Sequence, residues 1–458
     1  MDIVNLRNSS VSQRADSFQH SRDLQGRAHH LIPGGCHTYA KGDDQYPILA
    51  PGFIARGSGC HVWDADGNEY IEYGMGNRAV GLVHAYPSVV AAVQKELTNG
   101  CNFTRANPVE VACAEQFLSM IDGAEMVKFC KDGSDATSGA VKLARAYTGR
   151  DLIACCADHP FFSVDDWFIG TTAMNAGIPE AVRALTVTFR YNDLASAKAL
   201  FDWHPGKIAA FILEAARVEE PKDNYLHELQ KLCNTNGALL IIDEMITGFR
   251  WHNGGAQKHY GIVPDLSCFG KALANGFSVS ALAGKREYMR LGGLDHYDKP
   301  RVFLLSTTHG AETHGLAAAI ATMKVYQNEP VIEHLHRQGK RIKTLGAEAI
   351  RTHGLADHVK IMGNPSCLLF ATLDREGKPS QYFRSLFLQE TIKRGVIMPS
   401  LVVGYTHSDE DIDRTIEAID GALAVYKRAL NDGVQKHLIG RPSEVVYRKF
   451  NQPPKADR

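Results

Sequence analysis

The chain has 458 residues, too many for one small core and comfortable for two or three layered units. Hydrophobic residues make up 44%, charged residues 22%, and the formal net charge is −1. That balance leaves no basic footprint for nucleic acid or for an anionic membrane, and no apolar run approaches a membrane span.

The opening, MDIVNLRNSSVSQRADSFQHSR, lacks a charged start followed by an apolar leader. Residues 11–32 have helical spacing and close at Ile-Pro-Gly-Gly. Residues 53–73 hold two alternating runs around Asp66-Gly67, which reads as a β-hairpin. Helices follow over 87–98 and 108–121. From about 126, short apolar runs (MVKFC, LIACC, LTVTF, IAAFILE, ALLIIDE, VSALAG) alternate with helical stretches near 135–147, 193–202 and 222–235. Strands alternating with helices imply an α/β fold with a mainly parallel sheet covered on both faces. From about 330, long helices and short strands suggest a second, smaller unit, and NQPPKADR reads as a loose tail. The ten cysteines are scattered without a Cys-x-x-Cys pair. They point to reduced thiols in a cytoplasmic protein, with no disulfide framework and no metal site.

Ligands of an open parallel sheet bind beyond the carboxyl ends of its strands. After MVKFC, Gly133 and Ser134 sit at a strand-to-helix turn, where free N–H groups suit a phosphate. An ordinary N-cap by Asp132 or Ser134 explains the same residues. After ALLII, Asp243 closes an apolar strand, where a carboxylate needs a cation. Its partner is either Arg250 or a protonated ring nitrogen; a helix cap is the other reading. After PDLSCF, Lys271 follows Gly270, and a desolvated lysine there becomes a nucleophilic amine. A phosphate cradle, a buried carboxylate and an amine on three strand ends are the partners that pyridoxal 5′-phosphate requires.

Several longer segments carry a resemblance. IPGGCHTYAKG, GCHVWDADGNEYIEY, DGSDATSGAVKLARAYTGRD, LLIIDEMITGFR, PDLSCFGKALANGF, TTHG before an Ala-rich helix, and VIMPSLVVGYTHSDEDIDRTIEAI are the stretches concerned. Over roughly 25–428 the chain resembles a class III aminotransferase of the fold type I pyridoxal-phosphate enzymes, in the glutamate-1-semialdehyde aminomutase branch. The resemblance implies a large domain with a seven-stranded, mainly parallel sheet and a smaller α+β domain built from both termini. The corresponding division is 1–80 (N-terminal part of the small domain), 81–328 (large cofactor domain) and 329–458 (C-terminal small domain). It implies that Lys271 binds the cofactor aldehyde and shuttles a proton, while Asp243 keeps the pyridine nitrogen protonated. It also implies cofactor contacts from Gly133, Ser134, Asp135 and Glu214, with Met245 on one ring face and Phe161 on the other. Thr308 is expected to reach the phosphate of the neighbouring subunit in a homodimer.

Departures from the branch bear on substrate. The segment after Pro399-Ser400 is about four residues shorter than in the aminomutases and lacks their glutamate. Thr38 and Lys41 replace a serine and an arginine, and Asn77, followed by Arg78, replaces a tryptophan. These residues suggest two-substrate transamination between an amino-acid donor, glutamate or similar, and a polar carbonyl acceptor. An intramolecular aminomutase is the alternative, and a non-catalytic protein of the same fold would be expected to lack Lys271 or Asp243.

Overall fold

The computed structural model describes residues 18–451; the first part of the 11–32 helix and nearly all of the NQPPKADR tail lie outside them. Within the described residues the first helix is Gln19–Leu31. The 53–73 stretch forms β1 (Ile54–Ser58), β2 (His61–Asp64) and β3 (Glu69–Glu72), a meander of three strands rather than the single hairpin predicted. The extra turn comes from Gly59, whose φ of +62° is open to glycine and lets the first apolar run fold back on itself.

The apolar runs become β4 (Met126–Cys130), β5 (Leu152–Cys156), β6 (Thr186–Phe189), β7 (Ile208–Leu213), β8 (Leu239–Asp243), β9 (Leu266–Phe269) and β10 (Ser280–Gly284). They pair in the order β4-β10-β9-β8-β7-β5-β6, the expected seven-stranded sheet. Pairing is parallel throughout from β9 to β6, whereas β10 is antiparallel to both its neighbours. Because β4 and β9 both oppose β10, they run the same way. The carboxyl ends of β4, β5, β7, β8 and β9 therefore share one edge. Every residue of β7 and β8 is buried, as a strand covered on both faces requires.

Beyond the Ala-rich helix Thr313–Asn328 come the 22-residue helix Val331–Thr352, β11 (Val359–Met362) and β12 (Cys367–Thr372). The helix Gln381–Lys393, β13 (Val396–Ile397), β14 (Leu401–Val402) and the helix Asp409–Asp432 complete this region. β13 pairs in parallel with β3, through Val396 and Ile71, so the two ends of the chain meet in one sheet. A second tie joins His61 on β2 to Asp411, which caps the last long helix. All ten cysteines are free.

Candidate active site

Asp132 ends the β4 turn in an extended conformation and caps the helix Gly133–Thr148. Its Oδ1 accepts the N–H groups of Ser134 at 2.8 Å and Asp135 at 3.1 Å. The carboxylate of Asp135 turns back to accept the Asp132 N–H at 3.3 Å, closing a capping box, and also accepts the Lys131 N–H at 3.1 Å. Asp135 is thus a helix cap, and its anionic side chain offers nothing to a phosphate. The donors left over are the Gly133 N–H and the Ser134 hydroxyl, which itself accepts the Val164 N–H at 3.0 Å. Position 133 must be small, because a Cβ there would lie 2.8 Å from the Met245 sulfur.

Asp243 is 2% exposed at the end of β8, and its Oδ1 accepts the Met245 N–H at 2.8 Å. Arg250 is not its partner. That guanidinium is fully buried and donates to the Ile246 carbonyl at 3.0 Å and to the Arg78 carbonyl. Burial, reinforced by the charge of Glu214, raises the Asp243 pKa, and the nearby Lys271 only partly opposes the rise. Its neighbour Glu244 is structural, accepting the N–H groups of Ala256 and Gln257 at 2.9 and 2.7 Å.

Lys271 follows β9 with φ +46°, a left-handed conformation that costs a side-chain-bearing residue roughly 1–2 kcal/mol. The turn behind it is held by Asn275, whose side chain accepts the Leu82 N–H and donates to the Val83 carbonyl. This pinning explains the bend between Lys271 and Gly276. Burial lowers the Lys271 pKa against the pull of Asp243 and Glu214, so a larger share of the amine is neutral and nucleophilic.

Glu214 directly follows β7, 2% exposed, with Arg217 Nη1 3.3 Å from each of its oxygens. His159, which sequence reasoning passed over inside DHPFFS, accepts the Glu214 N–H on Nδ1 at 3.1 Å. Burial lowers its pKa, so the ring is neutral with its proton on Nε2. Phe162 is buried in the core, whereas Phe161 is 41% exposed and meets Phe168 edge-on. Between the two phenylalanines, Phe161 is the one open to a ligand.

The other predicted residues divide. Asn77 and Arg78 line a polar cavity together with Ala40, whereas Thr38 and Lys41 flank Ala40 and point to solvent. Thr308 is exposed, its carbonyl accepting from Asn102 at 3.1 Å, and nothing joins its hydroxyl to the cradle of its own chain.

The profile of the class-III aminotransferase family matches residues 39–423. The chain belongs to the class-III aminotransferases. It is 33% identical over 422 residues to glutamate-1-semialdehyde 2,1-aminomutase of Acetivibrio thermocellus, covering 87% of this chain and 96% of that one. It is 31% identical over 420 residues to 3-aminobutyryl-CoA aminotransferase of Cloacimonas acidaminovorans, with 90% and 98% covered. The FumI protein of Sphingopyxis sp. MTA144, solved in its PLP internal aldimine form, superposes with a TM-score of 0.82 at 30% identity over 90% of this chain and 97% of that one.

A class-III aminotransferase works with pyridoxal 5′-phosphate, and the residues present here fit it. Among the described residues, Asp243 is a buried carboxylate with no cationic side chain at hydrogen-bond distance, which a protonated ring nitrogen would supply. A Cβ at Gly270 would lie 2.6 Å from the Met245 sulfur and would also strike Ser280. The absence of side chains at 133 and 270 therefore keeps Met245 in place as a flat apolar floor. Bound here, the cofactor supplies an electron sink for a carbanion on the substrate.

Proposed function

We propose that this aminotransferase moves an amino group from an amino-acid donor, glutamate or a close relative, to a polar carbonyl acceptor in two half-reactions. Lys271 Nζ is the group that bonds the cofactor and carries a proton to and from the substrate carbon. Asp243 holds a proton on the ring nitrogen, Met245 and Phe161 flank the ring, and Gly133 N–H and Ser134 Oγ take the phosphate. The exposed Thr308 completes the phosphate site of a second copy in a homodimer. The division into a large unit (81–328) and a small one from both chain ends belongs to this reading.

One observation supports transamination over intramolecular transfer. After Pro399-Ser400 the chain enters β14 directly, and Leu401, Val402, Val403 and Gly404 are all buried. No carboxylate stands in that segment to retain a diamine intermediate, so release of a keto product and exchange of partners is favoured. The test is a half-reaction screen: holoenzyme is mixed with single amines and the cofactor absorbance is followed to its aminated form. Glutamate is expected to convert it and a second carbonyl compound to restore it. Efficient isomerisation of glutamate-1-semialdehyde without added donor would overturn this reading in favour of the aminomutase. Sedimentation of an active monomer would overturn the shared-site dimer.

A further inference from the structure

Directly after β3 the chain makes one turn of left-handed helix: Met75, Gly76, Asn77 and Arg78 have φ of 44°, 56°, 58° and 70°. Three of these four carry side chains, and each costs roughly 1–2 kcal/mol in that conformation. Strain of this size persists where surrounding structure imposes it, and it clusters at functional sites. Here Arg78 N–H bonds the Gly74 carbonyl at 2.9 Å and the buried Arg250 grips the Arg78 carbonyl. The turn carries Asn77 and Arg78 to the wall of a cavity of about 320 Å³.

The same cavity is lined by a second guanidinium. Arg384, on the helix Gln381–Lys393, is anchored by Nη2 to the Pro399 carbonyl at 2.7 Å and lies 4.7 Å over the Phe370 ring. Burial lowers its pKa and the charge of Arg78 lowers it further, while Tyr46 pulls the other way. Among the described residues neither Arg78 nor Arg384 has an ion-pair partner, and Glu444 is the only acidic residue lining the cavity. The Glu72 carboxylate nearby is taken by the Met75 N–H at 2.8 Å and by His84 at 3.2 Å. The charge of Arg78 also lowers the pKa of Lys271, so the cavity wall and the reacting amine are electrostatically linked.

The outer wall is a strap from the C-terminal end of the described chain. Ser443 bonds Ser385 through both its N–H and its hydroxyl, and the Glu444 N–H bonds the Asp44 carbonyl at 2.8 Å. Arg441 bonds the Asp43 carbonyl at 2.9 Å, and Arg448 bonds the Asp44 carboxylate at 2.7 Å. This strap lies beyond residue 423, where the family match ends.

We propose that this strap-covered cavity is the specificity site of the enzyme and seats an oxyanionic group of the substrate, a carboxylate or a phosphate, between Arg78 and Arg384. Two guanidiniums without carboxylate partners, one of them stacked on an aromatic ring, form a fork that suits such groups and no neutral tail. Strap residues rather than the cofactor pocket then decide which substrate enters. This rests on the transaminase reading for its substrate but not for its test.

The test titrates the full-length holoenzyme with two amine-free probes, glutarate and inorganic phosphate, by calorimetry. At least one is expected to bind, with Arg384→Gln and Arg78→Gln each weakening it tenfold or more. Glu444→Gln should tighten it several-fold, a gain that misfolding cannot mimic. Arg375→Gln, on an exposed turn, should bind as the parent does. Glutarate alone assigns a carboxylate, phosphate alone a phosphate ester, and both together a site for either. Failure of both probes to bind, or binding indifferent to Arg384→Gln and Glu444→Gln, overturns the proposal. Titration needs no turnover, so absence of any half-reaction would sink the transaminase reading while leaving this result standing.

Discussion

The Nδ1 of His159 accepts the backbone N–H of Glu214 at 3.1 Å, tying the loop after β5 to the end of β7 beneath the site. The His159 ring also packs against Tyr191, with centroids 5.0 Å apart. Replacing His159 by alanine leaves a buried N–H unpaired, at a cost of about 1–3 kcal/mol. The apoprotein is expected to melt a few degrees lower, and His159→Asn, which keeps an acceptor, should recover part of the loss. Equal melting of parent and alanine variant would remove the structural role.

Lys271→Ala should purify folded, because among the described residues the lysine amine makes no hydrogen bond and alanine at φ +46° bears the same backbone strain as lysine. It should lack the absorbance band of lysine-bound cofactor and show no turnover. Normal activity in this variant would remove the central assignment.

Asp243→Asn carries two predictions of opposite sign. With cofactor, loss of the carboxylate that keeps the ring nitrogen protonated should cut the rate on the order of a thousandfold. Without cofactor, the variant should be more heat-stable at neutral pH. The folded-state pKa of Asp243 is raised, so its ionised form is disfavoured by folding and stability falls as pH climbs from about 4 toward that raised value. Asparagine removes the buried charge. A rate loss below about tenfold, or an apoprotein that melts lower than the parent, would count against the assignment.

Gly270→Ala should displace Met245, since the new Cβ would sit 2.6 Å from its sulfur. Overpacking of this kind costs about 1–3 kcal/mol. Cofactor affinity, measured by equilibrium dialysis, is expected to fall, and Met245→Ala in the same chain should restore part of it. Additive losses in the double variant would rule out the steric explanation.

His61 on β2 bonds Asp411 at 3.0 Å, and this pair gives a pH signature. The Asp411 bond raises the His61 pKa, so the stabilisation is full below about pH 6.5 and is lost as pH rises through the folded-state value. Burial would raise Asp411, but the bonds from His61 and Ser408 outweigh it and lower its pKa. Its share is therefore present above about pH 4 and lost as pH falls further. After solvent screening the pair contributes about 1 kcal/mol between those limits. Melting temperature against pH should decline above pH 6.5 in the parent and stay flatter in His61→Gln; parallel curves would refute the link.

The clustering of the candidate groups was legible in the sequence because each follows its own apolar strand. Cys130, Leu213, Asp243 and Phe269 end strands that are read directly as short apolar runs. A parallel sheet necessarily brings such ends to one edge. Gly133, Asp243 and Lys271 could thus be singled out as candidates from local pattern, while Glu214 came only through the family resemblance. A cap and an anion ligand share a grammar at this helix start. Asp135 obeys the rule for an anion-binding helix start, yet its carboxylate closes a capping box.

What the tertiary structure decided lies in pairs far apart in the chain. Nothing near residue 384 announces that Arg384 lines one cavity with Arg78, because helix periodicity reports which face is buried, not what stands beside it. The left-handed turn at 75–78 is only half announced, since Gly76 and Asn77 favour positive φ but Met75 and Arg78 do not. His159 became meaningful only when β5 and β7 paired side by side and set its ring under the Glu214 amide. Strand order, and the return of residues 441–448 to residues 43–46, are settled by long-range burial and hydrogen bonding. Sequence spacing carries no record of those contacts.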